Sequence, residues 1–486
     1  MSFTTLSFAI FLVVVFGLYW AVPGRRGQNW VLLLASYLFY GWWDPRFCGL
    51  LLGSSLIDFA IARALVGEGP ERRRRALVAL SGALNLGVLG VFKYYGFFVA
   101  SFAGLLEALG LHANLPVLSL ILPVGISFYT FQTLGYTVDV YRRTTPAATG
   151  LLDYLAYVAL FPQLVAGPIE RASRLLPQLQ RARVFDEAAA RDGAKQMLWG
   201  LSKKIVVADH LGEFVDQVYA GPVVHASGPV LAVATVAFAF QIYCDFSGYS
   251  DIAIGCARLF GLDLVRNFAT PYFSRSVAEF WRRWHMSLST WFRDYVYVPL
   301  GGSRRGAVRL WASLMATFTL SGLWHGPRWT FVIWGAVNGL LVGLSGLRGR
   351  GGARLGPDVP LPSLRTAEGL RAFPSIVLTF TAICLTWVLF RAEDLPQAMG
   401  VYAKLFGDSF SGAAWAELRA HREFLEAFGP LLIALVVVEW VSRSRPHPLG
   451  LPDWPRPLRW ALYTLMLWAV LYLMPDDPEA FIYFQF

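Results

Sequence analysis

Residues 310–344 read LWASLMATFTLSGLWHGPRWTFVIWGAVNGLLVGL. Two apolar runs, Leu310 to Leu323 and Phe331 to Leu344, flank a short turn, Trp324-His325-Gly326-Pro327-Arg328. A surface helix of a soluble domain keeps a polar face, whereas helices apolar all round are built for a buried or lipid environment. Apolar runs of about 16 to 25 residues recur from one end of the chain to the other, long enough at roughly 1.5 Å per residue to cross a hydrocarbon layer about 30 Å thick. Composition agrees: of 486 residues 56% are apolar and only 15% charged, with a mean hydropathy of +0.49. An all-α polytopic membrane protein with about ten or eleven spanning or re-entrant helices is predicted.

The net charge of +10 does not point to nucleic acid, because the basic residues sit in short loops between apolar runs rather than along one polar face. Read by the excess of Lys and Arg on the cytoplasmic side, Arg25-Arg26, Arg72 to Arg75, Arg142-Arg143, Arg304-Arg305 and Arg348 to Arg354 face inward. Both termini then lie outside, with Pro475-Asp476-Asp477-Pro478 closing the last span. The turns near His112 and at Gly221-Pro222, which lack basic residues, also lie outside. Residues 346–371, rich in Gly, Pro and Arg, are expected to form a cytoplasmic loop. No internal repeat or soluble domain is evident, so residues 1–486 are expected to form a single membrane-embedded domain. The run Phe8 to Val22 lacks a preceding basic stretch and a small-residue cleavage pattern, and reads as a retained span. Cys48, Cys244, Cys256 and Cys384 show no metal-type spacing and read as packing residues.

Three clusters carry candidate chemistry. His325 stands at a span end beside Gly322 and Gly326, which permit close approach of backbone or substrate. Ionisable groups at membrane depth are functional candidates, and imidazole can take a proton from a hydroxyl and return it. The competing reading is an interfacial His bonded to a carbonyl, and spacing alone leaves both open. Residues 280–298 contain Trp281, Trp284, Leu288, Trp291 and Tyr295 at steps of three or four, which predicts an amphipathic interfacial helix carrying His285. The third cluster, Gln241 to Asp251, places Asp245, Ser247 and Asp251 in an apolar region, where each carboxylate must be paired, hydrated or protonated. Pairing with an Arg or a helix N-terminus is one reading and catalytic participation the other. Asp58 and Asp139 are similar isolated acids. The two prolines and glycine of Phe161 to Arg171, a stretch that includes Gln163, argue against a continuous helix and for a re-entrant segment.

Taken together, Phe161 to Arg171, Tyr243 to Asp251, Trp281 to Gly302, Leu320 to Gly326, the opening Ser36 to Trp43 and the ending Phe481 to Phe486 resemble the membrane-bound O-acyltransferase family. The resemblance is to the bacterial branch that contains the alginate O-acetyltransferase membrane subunit, and it covers nearly the whole chain. It implies a ring-like helical fold with a narrow passage between the membrane faces, an essential His at His325 and a second His at His285. It further implies transfer of an acyl group, usually acetyl, from a cytoplasmic thioester such as acetyl-coenzyme A or an acyl carrier. The acceptor is an extracytoplasmic polymer, reached with periplasmic acetyltransferase partners at the bacterial inner membrane. Trp324, Trp284, Asp245, Ser247 and Gln163 are expected along the substrate passage, and no bound metal or tightly held cofactor is expected. The charge pattern places His285 toward the cytoplasmic side and His325 toward the outer side. A glycan transporter or flippase is the rival from another class, and peptidoglycan or teichoic acid the rival acceptors.

Overall fold

The computed structural model describes residues 1–67, 69–111, 116, 120–165, 167–221, 225–348, 367–408, 411–451, 454–475 and 481–482. Among the described residues every regular element is helical. Most of the loop expected at 346–371, the expected turn near His112, Pro222, and residues 476–480 and 483–486 lie outside them. Among the described residues six helices are long and apolar enough to cross a membrane: Arg46–Ala64, Glu71–Ala108, Gly228–Leu259, Trp329–Gly346, Gly369–Arg391 and Arg422–Ser442. The protein is therefore a multi-pass membrane protein. Some of the other helices expected as spans are shorter, such as Leu6–Ala21 and Arg456–Tyr472.

Contacts divide the chain into two compact units, one formed by Met1–Ala194 with Ala253–Val265, the other by Lys195–Ile252 with Arg266–Phe486. The first is organised around aromatic packing, in which Phe11 meets Phe161 edge-on at 5.2 Å and Tyr19 meets Phe260 at 5.0 Å. Buried polar groups are paired, as such groups must be away from water. Asp58 accepts from Ser81 Oγ at 2.5 Å and from Asn85 Nδ2 at 2.8 Å, which gives this isolated acid a structural explanation. Asn29 donates to Asp153 at 2.7 Å and accepts from Arg183 at 2.6 Å. As the prolines anticipate, the Phe161 segment is broken, with only Phe161–Leu164 helical. Gln163 is buried in this unit and donates to the Tyr157 carbonyl at 2.6 Å, a carbonyl that also accepts from Gln132 at 3.0 Å.

In the second unit the hairpin read at the outset is present as the helices Ala307–His325 and Trp329–Arg348. Their close packing follows from glycine. A Cβ on Gly322 would stand 2.2 Å from the Phe331 carbonyl oxygen, and one on Gly335 would stand 2.3 Å from that of Phe318. A Cβ on Gly326 would meet the Phe331 ring at 2.4 Å. The approach permitted by these glycines is thus taken by the partner helix rather than left for substrate.

Candidate active site

The helix expected over 280–298 is broken in the middle. Val277–Arg283 is helical, Ser276 capping it by accepting from the Glu279 amide at 3.1 Å. Trp284 is then extended, His285 adopts a left-handed conformation (φ 43°, ψ 55°), and Met286–Phe292 resumes the helix, followed by a π-helical turn at Arg293–Tyr297. No Gly or Pro demands the break. It is imposed by the preceding loop, where the Ala269 amide donates to the Arg283 carbonyl and the Met286 amide to the Asn267 carbonyl, both at 2.9 Å. Tertiary hydrogen bonding therefore overrides local helical periodicity. Left-handed backbone at a residue with a Cβ costs about 1–2 kcal/mol, strain of the kind that persists where surroundings over-determine a functional geometry. Much of the aromatic stripe is packed inside the protein: Trp284, Leu288 and Trp291 are buried, as is His285 beside them.

Neighbouring side chains fix the imidazole of His285. Its Nδ1 lies 3.1 Å from Asn267 Oδ1, an oxygen that also accepts from the Ser287 amide at 3.3 Å and the Ser287 hydroxyl at 2.9 Å. The other end of the same amide, Asn267 Nδ2, donates to Ser250 Oγ at 3.2 Å, so the orientation of the amide is set by both ends. An amide oxygen can only accept, hence Nδ1 carries the proton and Nε2 presents its lone pair in the neutral ring. Burial disfavours the imidazolium and pushes the His285 pKa well below its ordinary value. Phe246 meets the ring edge-on at 4.6 Å.

His325 ends its helix and is 3% exposed. Aromatic rings enclose it: Trp324 at 4.9 Å, Trp334 at 5.1 Å and Phe390 at 5.3 Å between centroids. Trp387 extends this wall, stacking on Trp334 at 5.7 Å and meeting Trp284 at 5.1 Å. Such a setting excludes water, which strengthens any electrostatic contact made within it.

Both histidines line one cavity of about 210 Å³, together with Trp284, Ser321, Arg282 and Arg293. Trp324 lies 6.1 Å from the His285 ring as well as 4.9 Å from that of His325. The charge pattern set the two imidazoles toward opposite faces, whereas the fold brings both onto the same cavity. Their approach depends on the left-handed turn at His285, which a continuous helix would not make. The cavity reaches from these buried rings to Arg293, whose side chain is 60% exposed and paired with Asp294 at 2.7 Å.

Asp245 and Ser247 do not line this cavity. They belong to a buried charge network organised by two adjacent lysines on the π-helical turn Ser202–Asp209. Lys204 bridges Asp209 at 2.6 Å and Asp245 at 2.7 Å, while Lys203 meets Asp251 at 2.6 Å and Ser247 Oγ at 2.8 Å. The carboxylates are paired as burial requires, by Lys rather than by Arg or a helix terminus. Asp245 also accepts from the Ile482 amide at 2.9 Å, and Phe481 packs on Tyr249 at 4.7 Å. Gln163 belongs to the first unit, where the contacts to Tyr157 hold it. Ser250 falls in the cluster read from sequence, whereas Lys203, Lys204 and Asn267 carry no role in that reading. For the lysines a signal existed: two cations in an apolar stretch need partners, and Asp245 and Asp251 needed the same.

Residues 140–347 match the membrane-bound O-acyltransferase family. The chain is 35% identical to the probable alginate O-acetylase of Pseudomonas putida, aligned over 98% of both chains. It is 29% identical to the peptidoglycan O-acetyltransferase of Helicobacter pylori over 94% of this chain and 91% of that one. Identity to the teichoic acid D-alanyltransferase of Streptococcus thermophilus is 28%, over 55% of this chain and 68% of that one. A helical, multi-pass chain of this likeness to enzymes that acylate cell-surface polymers belongs to the membrane-bound O-acyltransferase family and is an O-acyltransferase.

Proposed function

We propose that the protein moves an acetyl group from a cytoplasmic thioester, acetyl-coenzyme A or an acyl carrier, to hydroxyls of an exopolysaccharide such as alginate, directly or through periplasmic acetyltransferase partners. The bacterial inner membrane is the site of this transfer. The observation that carries the reading is the pair of buried imidazoles on one enclosed cavity. In the direct route, His325 takes the proton of the acceptor hydroxyl as its oxygen attacks the thioester carbonyl. The new C–O bond forms, the C–S bond breaks, and the proton returns to the leaving thiolate. In the relayed route a ring nitrogen of His325 attacks the thioester carbonyl, the C–S bond breaks and the thiolate leaves with the imidazole proton; the alcohol oxygen then displaces the ring, which takes the alcohol's proton. His285, with Nε2 presented by its contact to Asn267, lines the donor route beside Trp284 and Trp324. Arg282 and Arg293 in the cavity wall suit a phosphate-bearing donor.

Higher identity to the alginate O-acetylase, 35% against 29% and 28%, supports alginate over the peptidoglycan and teichoic acid of the other relatives. The test is transfer of radiolabel by the purified chain in proteoliposomes, from acetyl-coenzyme A in one arm and an acetylated acyl carrier protein in the other. His325→Ala, which removes the acid–base group, abolishes transfer, and His285→Ala, which alters the donor route, weakens it. A His325→Ala protein that inserts normally and still supports acetylated polymer would remove His325 from the transfer step.

A further inference from the structure

A second cavity, of about 400 Å³, lies in the same unit and is lined by Phe240, Tyr272, Ile376, Phe380, Val436 and Glu439, among others. Its walls come largely from two membrane-crossing helices, Gly369–Arg391 and Arg422–Ser442. Phe373, Val377 and Val437 also line it and are 52%, 47% and 53% exposed. It therefore opens on the side where these helices meet hydrocarbon, and an apolar space of this size falls in the range of ligand pockets, about 300–1,000 Å³. Water gains little in such a space because it finds few polar partners there. The occupant offered by the surroundings is a lipid chain.

One end of the cavity is not apolar. Glu439 lies in the last turn of its helix, roughly 5 Å along the axis from Ser442, at the depth where a span meets the headgroups. Its Oε1 accepts from Tyr243 OH at 2.6 Å, and a carboxylate has capacity for several more donors. Trp440 lines the cavity beside it, and the Arg443 guanidinium sits 4.5 Å over that indole while donating to the Trp440 carbonyl at 2.6 Å. An acceptor and a cation thus stand one helical turn apart at the interfacial end of a hydrocarbon-lined space. A headgroup that carries an N–H donor and a phosphate complements that pair, with the ammonium on Glu439 and the phosphate toward Arg443. We infer that this cavity is a binding site for one phospholipid with a primary-amine headgroup, phosphatidylethanolamine in chemical class. A choline headgroup has no N–H to donate, and a glycerol headgroup has no cation for Glu439.

The test uses the full chain purified in mild detergent, washed, and supplied with dioleoyl lipids bearing ethanolamine, choline or glycerol headgroups, with retained lipid read by native mass spectrometry. The ethanolamine lipid is retained about tenfold over the other two. Glu439→Gln keeps the shape and the contact to Tyr243 but removes the charge, and the preference among headgroups disappears while a lipid is still retained. Val436→Phe fills the cavity and removes retention. Ile376→Phe, from the facing helix, does the same and keeps the test decisive if the first variant fails to fold. Equal retention of the three lipids by the unaltered protein, or undiminished retention in a folded cavity-filling variant, overturns the inference. Neither outcome bears on the acyl-transfer reading, which is scored by radiolabel.

Discussion

The most consequential contact at the residue scale is the one between His285 and Asn267, because it decides which ring nitrogen can act. Removing the acceptor with Asn267→Leu frees the ring to rotate and to exchange tautomers. Transfer from the thioester is expected to fall roughly tenfold or more, about 1.4 kcal/mol in the barrier. A merely structural role would give the same loss, so Asn267→Asp provides the distinguishing measurement. It keeps an acceptor at the same place but adds a negative charge, which favours the imidazolium and raises the His285 pKa. The pH–rate profile should then acquire an acid limb absent from the unaltered enzyme, since Nε2 is no longer available once the ring is protonated. An unchanged profile in a folded, active Asn267→Asp protein would remove Asn267 from the mechanism. Both histidines were legible in the sequence because each stands in a motif of Trp, Gly and Arg at a span end or amphipathic segment. Asn267 was not, since it lies in an irregular stretch whose spacing predicts nothing about what it faces.

Elements place these residues through close approach and through charge, and each makes a separate prediction. The hairpin that carries His325 is packed on glycine, so Gly322→Ala or Gly335→Ala forces a methyl group against backbone oxygen at 2.2–2.3 Å. Relaxing it costs about 1–3 kcal/mol, visible as a lower thermal midpoint in detergent together with reduced transfer. Gly53→Ala, in a helix where a Cβ meets nothing within 4 Å, is the control and should be neutral or stabilising. In the charge network, Lys204→Met leaves Asp209 and Asp245 facing each other without their shared cation, a loss of about 3–5 kcal/mol for a broken buried pair. Asp245→Asn is the milder change because Lys204 keeps Asp209; equal melting of the two variants would show that the bridge to Asp245 carries most of the stability. The hairpin was readable from hydropathy alone. The break at Trp284-His285 was not, because it comes from backbone hydrogen bonds to residues 267 and 269 rather than from any helix-breaking residue within it.

On the scale of the whole molecule, membrane orientation follows from where the basic ends of the first and last helices lie. Leu6–Ala21 is followed by Arg25 and Arg26. At the other end, Arg443, Arg445, Arg456 and Arg459 cluster between Arg422–Ser442 and the body of Arg456–Tyr472, so the last helix runs away from a basic loop just as the first runs toward one. With Lys and Arg held on the cytoplasmic side, the far ends of the first and last helices are expected outside, which makes the expected number of crossings between them even. For the roughly ten or eleven segments expected from the sequence, an even number corresponds to ten crossings, with Phe161 to Arg171 expected to enter and return. A C-terminal fusion to alkaline phosphatase, active only outside the cytoplasm, is therefore expected to be active. The same fusion to green fluorescent protein, exported unfolded, should be dark. Between Ala64 and Glu71, just before the four arginines that open the next helix, an inserted phosphatase should be inactive and an inserted green fluorescent protein should fluoresce. Fluorescence from the C-terminal fusion would make the parity odd and put the far end of the last helix in the cytoplasm, against the charge pattern.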